Sequence, residues 1–147
     1  MKYRIKNRIN KFDGSIISVD IDFEPENLAL SACITQLKVI HFPKFISYQS
    51  LSKTYGEEYV YIMNNVDMDW EDKAWAKSIK DSVLKDDEMF LVYYVMGEAI
   101  IKESIFNKIL FDDASKVLEV YHDDKSLPDT WSRDMSNALE SLKNKMQ

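Results

Sequence analysis

Histidine is the usual general base and metal ligand, and the sequence holds only two, His41 and His122. Neither has a second histidine or a cysteine at the spacing a zinc site uses. His122 stands before Asp123-Asp124, which would make at most a weak His/Asp site. A histidine at a helix end, meeting the negative pole of the dipole, is the simpler reading. His41, beside Phe42-Pro43, reads as a partly buried structural residue. The one cysteine, Cys33, lies in Ala32-Cys33-Ile34. In that apolar setting a thiol is a small core residue rather than a nucleophile.

Adjacent carboxylates occur at Asp86-Asp87-Glu88, Asp112-Asp113 and Asp123-Asp124. Such pairs before a strand or helix are normally turn and capping residues. None fits the calcium loop, which needs a glycine at its sixth position and a glutamate at its twelfth. A hydrolase built from dispersed carboxylates stays open, because such pairs meet only in the fold. The three glycines, Gly14, Gly56 and Gly97, stand alone, so no phosphate-cradling loop is present. No Gly-x-Ser-x-Gly elbow accompanies the serines. The expectation is a chain with no catalytic residue, no metal and no cofactor.

Charge narrows the partners. The net charge is −6, yet residues 1–12 carry five basic side chains and no acid, leaving 14 basic against 25 acidic residues elsewhere. A body of that sign repels nucleic acid and attracts a basic protein. The longest apolar run, Met89 to Met96, has eight residues, far short of the roughly 20 of a membrane span. The basic N-terminus lacks the apolar stretch of a signal peptide. An unpaired cysteine fits a reducing compartment. A soluble cytoplasmic protein is expected, with neither nucleic acid nor membrane as partner.

The elements that would position a site read as one α+β domain over 1–147. Lys2, Arg4, Lys6 and Arg8 alternate with Tyr3, Ile5 and Ile9; Ile17, Val19, Ile21 and Phe23 alternate with acids. Both are half-buried strands. A three-residue loop at Phe12-Asp13-Gly14 gives a hairpin that sets Lys2, Arg4 and Lys6 opposite Glu24, Asp22 and Asp20. On its other face Tyr3, Ile5 and Ile9 meet Phe23, Ile21 and Ile17. The basic N-terminus is thus a solvated ion-pair ladder rather than a nucleic-acid arm. Glu24-Pro25-Glu26 predicts a helix start running to about Gln36. Leu37–Phe42 either extends it or forms a strand, and Pro43 ends either. Residues 59–63 predict a short strand, and Asp69 opens a helix to about Lys85 with Trp75, Ile79 and Val83 on its buried stripe. The apolar stretch 89–96 predicts a central strand buried on both faces. From Glu98 onward the pattern reads as helical through Ile101, Ile105 and Ile109, with a break near Asp112-Asp113. A last helix after Pro128 carries Trp131, Met135, Ala138 and Leu142.

Two acidic-aromatic patches remain. Asp67-Met68-Asp69-Trp70-Glu71-Asp72 opens a stretch to Glu88 with eight acids and four lysines. Tyr121-His122-Asp123-Asp124 is the second, close in sequence to Trp131. Acids beside exposed aromatics suit an interface with a basic protein. Trp75 reads as core; Trp70, in a first helical turn among acids, reads equally as core or anchor. In whole-chain character, one acidic α+β domain with such patches and no catalytic set, the sequence resembles the small immunity proteins of bacterial toxin systems, including contact-dependent growth inhibition. That resemblance implies tight, stoichiometric inhibition of a toxic nuclease or other effector; the charge imbalance and the empty motif search add the expectation that the chain occludes the toxin's active site. The expected contact residues are Asp67, Asp69, Trp70, Glu71, Asp72, Tyr121, Asp123 and Asp124, and the expected toxin is basic and nuclease-like. The alternatives are a protein-binding module or chaperone that inhibits nothing, and a carboxylate hydrolase.

Overall fold

The computed structural model describes residues 1–147. The fold is α+β, with five helices, a two-stranded sheet and a four-stranded sheet, both antiparallel. β1 (Lys2–Ile9) and β2 (Ile16–Glu24) pair in the register that the alternation predicts, with Lys2, Arg4 and Lys6 opposite Glu24, Asp22 and Asp20. The register slips at the tip, where Ile9 faces Ile16 rather than Ile17. The turn is the cause. Asn10 N–H donates to Ser15 O at 2.8 Å and Gly14 N–H to Asn10 O at 2.9 Å, so the loop spans residues 11–14. Asn10 Oδ1 accepts from Phe12 N–H at 2.8 Å and Asp13 Oδ1 from Ser15 N–H at 2.9 Å. These local acceptors support the longer turn, and the extra residue is absorbed as a bulge. Gly14, at φ +73°, takes the left-handed position. The ion pairs gather on Asp22, 2.7 Å from Lys6 and 3.9 Å from Arg4. Asp20 instead accepts from Ser18 Oγ at 2.9 Å.

α1 (Leu28–Thr35) starts three residues later than Pro25 implies, because Asn27 is the residue whose side chain accepts from Leu30 N–H. Pro43 does not end an element. After a 3-10 turn at Val39–His41 it sits in the first turn of α2 (Phe42–Ser50), where its missing N–H costs nothing. The second sheet runs β3 (Tyr55–Glu57), β4 (Val60–Asn64), β5 (Glu88–Tyr93) and β6 (Gly97–Lys102) in that spatial order. The interior strand β5 is buried on both faces, as its apolar run predicts, but it stops at Tyr93; Tyr94, Val95 and Met96 form an exposed turn. Residues 97–102 pair with β5 and are a strand, not the start of a helix.

Period-two alternation divides the core. Val60, Ile62, Met89 and Leu91 face a 24-residue cluster shared with α1, α2, α4 (Glu103–Tyr121) and α5 (Trp131–Met146). Met63, Phe90 and Val92 face the other way, onto Ala76 of α3 (Trp70–Lys80) and onto Met68 and Leu84. α3 ends at Lys80 because Asp81 adopts the left-handed conformation. Val83, beyond that stop, is exposed, and Ile79 within the helix is exposed as well, while Trp75 packs edge-on to Phe90 at 5.2 Å between ring centroids. α4 is unbroken at Asp112-Asp113: Asp112 reaches outward to Lys108 at 2.9 Å, and Asp113 turns inward and is buried. The last helix buries Trp131, Met135, Ala138 and Leu142 as its spacing predicts.

Candidate functional site

The α3 N-terminus gathers the first patch. Asp69 caps the helix, its Oδ1 accepting from Asp72 N–H at 2.8 Å. Asp67 Oδ2 accepts from Thr54 N–H at 2.7 Å and fixes the approach to the helix. Glu71 makes neither a side-chain hydrogen bond nor an ion pair, and Trp70 is 77% exposed. Burial, then the charge of Asp69, raises the Asp72 carboxyl above its ordinary range. Tyr61 of β4 joins this group: burial, Asp72, Tyr94, Asp69 and Asp67 together hold its phenol above the usual value. Spacing along the chain does not reveal Tyr61 or Tyr94, because only the stacking of β4 and the β5–β6 turn against α3 brings them to this group. Trp70 projects from the other flank of the helix, where Lys73, Ala74 and Lys77 share a cavity wall with it. The surface is therefore two-sided, with acids and tyrosines on one flank and the tryptophan with two lysines on the other.

The second patch lies elsewhere. Tyr121 packs on the main cluster and donates to Ile17 O at 3.4 Å, beside the hairpin. It is separated from α3 by the sheet, so the two patches do not form one face. Asp124 is occupied by its turn, accepting from Ser126 Oγ at 2.6 Å and N–H at 2.8 Å, bonds that lower its carboxyl. Asp123 pairs with His122 Nε2 at 3.0 Å. His122 ends α4, with Nδ1 2.8 Å from Glu119 O, the helix-end position its sequence implies. Trp131, its neighbour in sequence, is buried and donates to Val39 O at 2.8 Å.

The remaining reactive groups are held in structural roles. Cys33 is buried, and burial pushes its thiol up to about 12. His41 Nδ1 lies 2.6 Å from Glu57 Oε1, which also accepts from Tyr55 OH at 2.7 Å. This His–Glu–Tyr cluster, which spacing could not show, ties the turn before α2 to β3. Gln49, Asn64 and Asn107 form a buried amide network: Gln49 Nε2 donates to Asn107 at 2.8 Å and Asn64 Nδ2 to Gln49 at 2.9 Å. No group of three or more histidine, cysteine or carboxylate side chains is arranged to hold a metal ion. No helix is long and apolar enough to cross a membrane. No family model matches the chain, and neither a curated protein nor a solved structure matches it.

Proposed function

We propose that this chain is a protein-binding inhibitor of the immunity type, acting in the bacterial cytoplasm on a basic toxin domain whose active site it covers. The observation that carries the reading is the first turn of α3, which presents the exposed Trp70 ring on one flank and Asp67, Asp69, Glu71 and Asp72 on the other. Of these acids, Asp67 and Asp69 hold their own backbone, whereas Glu71 is free to meet a partner. Charges of one sign speed the encounter with a basic surface, and an aromatic anchor slows release. Tyr61 and Tyr94 extend the acidic flank, across the helix from Trp70, with amphipathic rings suited to an interface. The patch at Tyr121, Asp123 and Asp124 lies apart from this face, its carboxylates held by Ser126 and His122, and carries no part of the reading.

The test is a titration of the captured partner's activity with wild type, Trp70→Ala and Glu71→Lys. Stoichiometric inhibition by wild type is expected. Trp70→Ala should weaken it by at least about 30-fold, the effect of losing an interface anchor. Glu71→Lys should slow association and flatten its salt dependence. Equal inhibition by all three proteins would remove this face from the account.

A further inference from the structure

We infer that the cavity on the far flank of Trp70 is a ligand site for an apolar stem that ends in a carboxylate. The cavity has a volume of about 340 Å³, at the small end of ligand pockets. Its apolar wall is Trp70, Ala74, Val83 and Leu84. Leu84 is buried as the floor, whereas Trp70 and Val83 stand 77% and 71% exposed as two open sides. A ligand lying between them would remove that apolar surface from water.

The side of the wall opposite Trp70 is fixed before any ligand arrives. Asn65 Nδ2 donates to Leu84 O at 3.2 Å and to Lys85 O at 2.8 Å, anchoring the segment that carries Val83. Glu88 Oε1 accepts from Lys85 N–H at 2.8 Å and binds the Lys80 ammonium, closing the same segment from its other end.

The polar rim sets the sign of the ligand. Lys73 and Lys77 line it one helical turn apart, and neither belongs to any ion pair of the molecule. Two like charges at this spacing disfavour the helix, and an anion between them reverses that cost. Asp86 lies on the rim as well, so a bound carboxylate is directed away from it to the two lysines, with the stem between Trp70 and Val83. An ammonium-tailed stem would face two cations there. The inference does not depend on the inhibitor reading, because the protein alone can be tested.

Octanoate serves as a free acid, and an acetylated tetrapeptide ending in phenylalanine with a free carboxylate serves as a chain terminus. Each is titrated by calorimetry and by tryptophan emission, whose solvent-sensitive part comes from Trp70, Trp75 being half-buried and Trp131 buried. Saturable binding of either is expected, with the tighter one naming the source of the ligand. Octylammonium and the amidated peptide should bind at least tenfold more weakly. The double variant Lys73→Gln, Lys77→Gln should lose at least tenfold in affinity for the acid with unchanged circular dichroism. The inference is overturned if neither acid binds, if octylammonium binds as tightly as octanoate, or if the double variant keeps wild-type affinity.

Discussion

Asp113 makes the fold pH-dependent in a direction opposite to that of most acidic residues. It is 1% exposed in the middle of α4, and its Oδ1 has no hydrogen-bond partner. Burial foremost, and the charge of Asp20 next, raise its carboxyl from 3.8 to about 7. The folded chain therefore retains a proton that the unfolded chain releases. Stability from this group is fully present below pH 3.8 and is lost as pH rises through about 7. At 1.36 kcal/mol per unit, the loss above pH 7 has a ceiling of about 4 kcal/mol, a large share of a typical folding free energy of roughly 5–15 kcal/mol. The perturbation is Asp113→Asn, which keeps the shape and removes the titration. Urea unfolding of both proteins at half-unit steps from pH 4 to pH 8.5 isolates the group, since the other titrating residues are common to both. Wild type should lose stability relative to the variant across that range and level off above about pH 7.5. An amide left partly unpaired would offset the two curves by a constant of about 1–3 kcal/mol without changing the slope. A difference between the curves that stays flat with pH, or slopes the other way, would refute the reasoning.

Three other outcomes follow from packing and turn chemistry. Gln49→Leu strips partners from the buried amides of Asn64 and Asn107 and should cost about 2–4 kcal/mol in urea unfolding; a loss under about 1 kcal/mol would count against a network role. Gly14→Ala, at φ +73°, should cost about 1 kcal/mol in the same assay. Asp69→Ala removes the α3 cap and should cost about 1 kcal/mol, with amide exchange rising first in residues 70–74. For that reason Glu71 is a cleaner probe of binding than Asp69.

The hairpin and the last helix were legible because each satisfies one rule with no competitor. Basic and acidic residues alternate against Tyr3, Ile5, Ile21 and Phe23, and a one-residue slip would set polar against apolar along the whole pair. Trp131, Met135, Ala138 and Leu142 mark a single helical stripe. Elsewhere two rules competed. Ile101, Ile105 and Ile109 share helical spacing, yet Ile101 belongs to β6, where pairing with Met89 of β5 overrides the period. Pro43 reads as a stop from its own side and as a helix start from the other, and the preceding 3-10 turn decides between them. Asp112-Asp113 looked like a break because the cost of burying Asp113 argues against an interior site. At the candidate site, the first turn of α3 showed Trp70 and its acids. Tyr61, Tyr94 and the Lys73–Lys77 wall appear only once β4, β5 and α3 are stacked.

The central claim is that this surface holds a basic protein. Its most direct test is capture by the tagged protein from its native host at low and high salt, with mass spectrometry of the eluate. The account expects a basic partner at one-to-one stoichiometry, with toxic activity of its own, whose capture is reduced by Trp70→Ala and by Glu71→Lys. Recovery of the chain alone at low salt, or of a partner whose capture neither substitution alters, would contradict it.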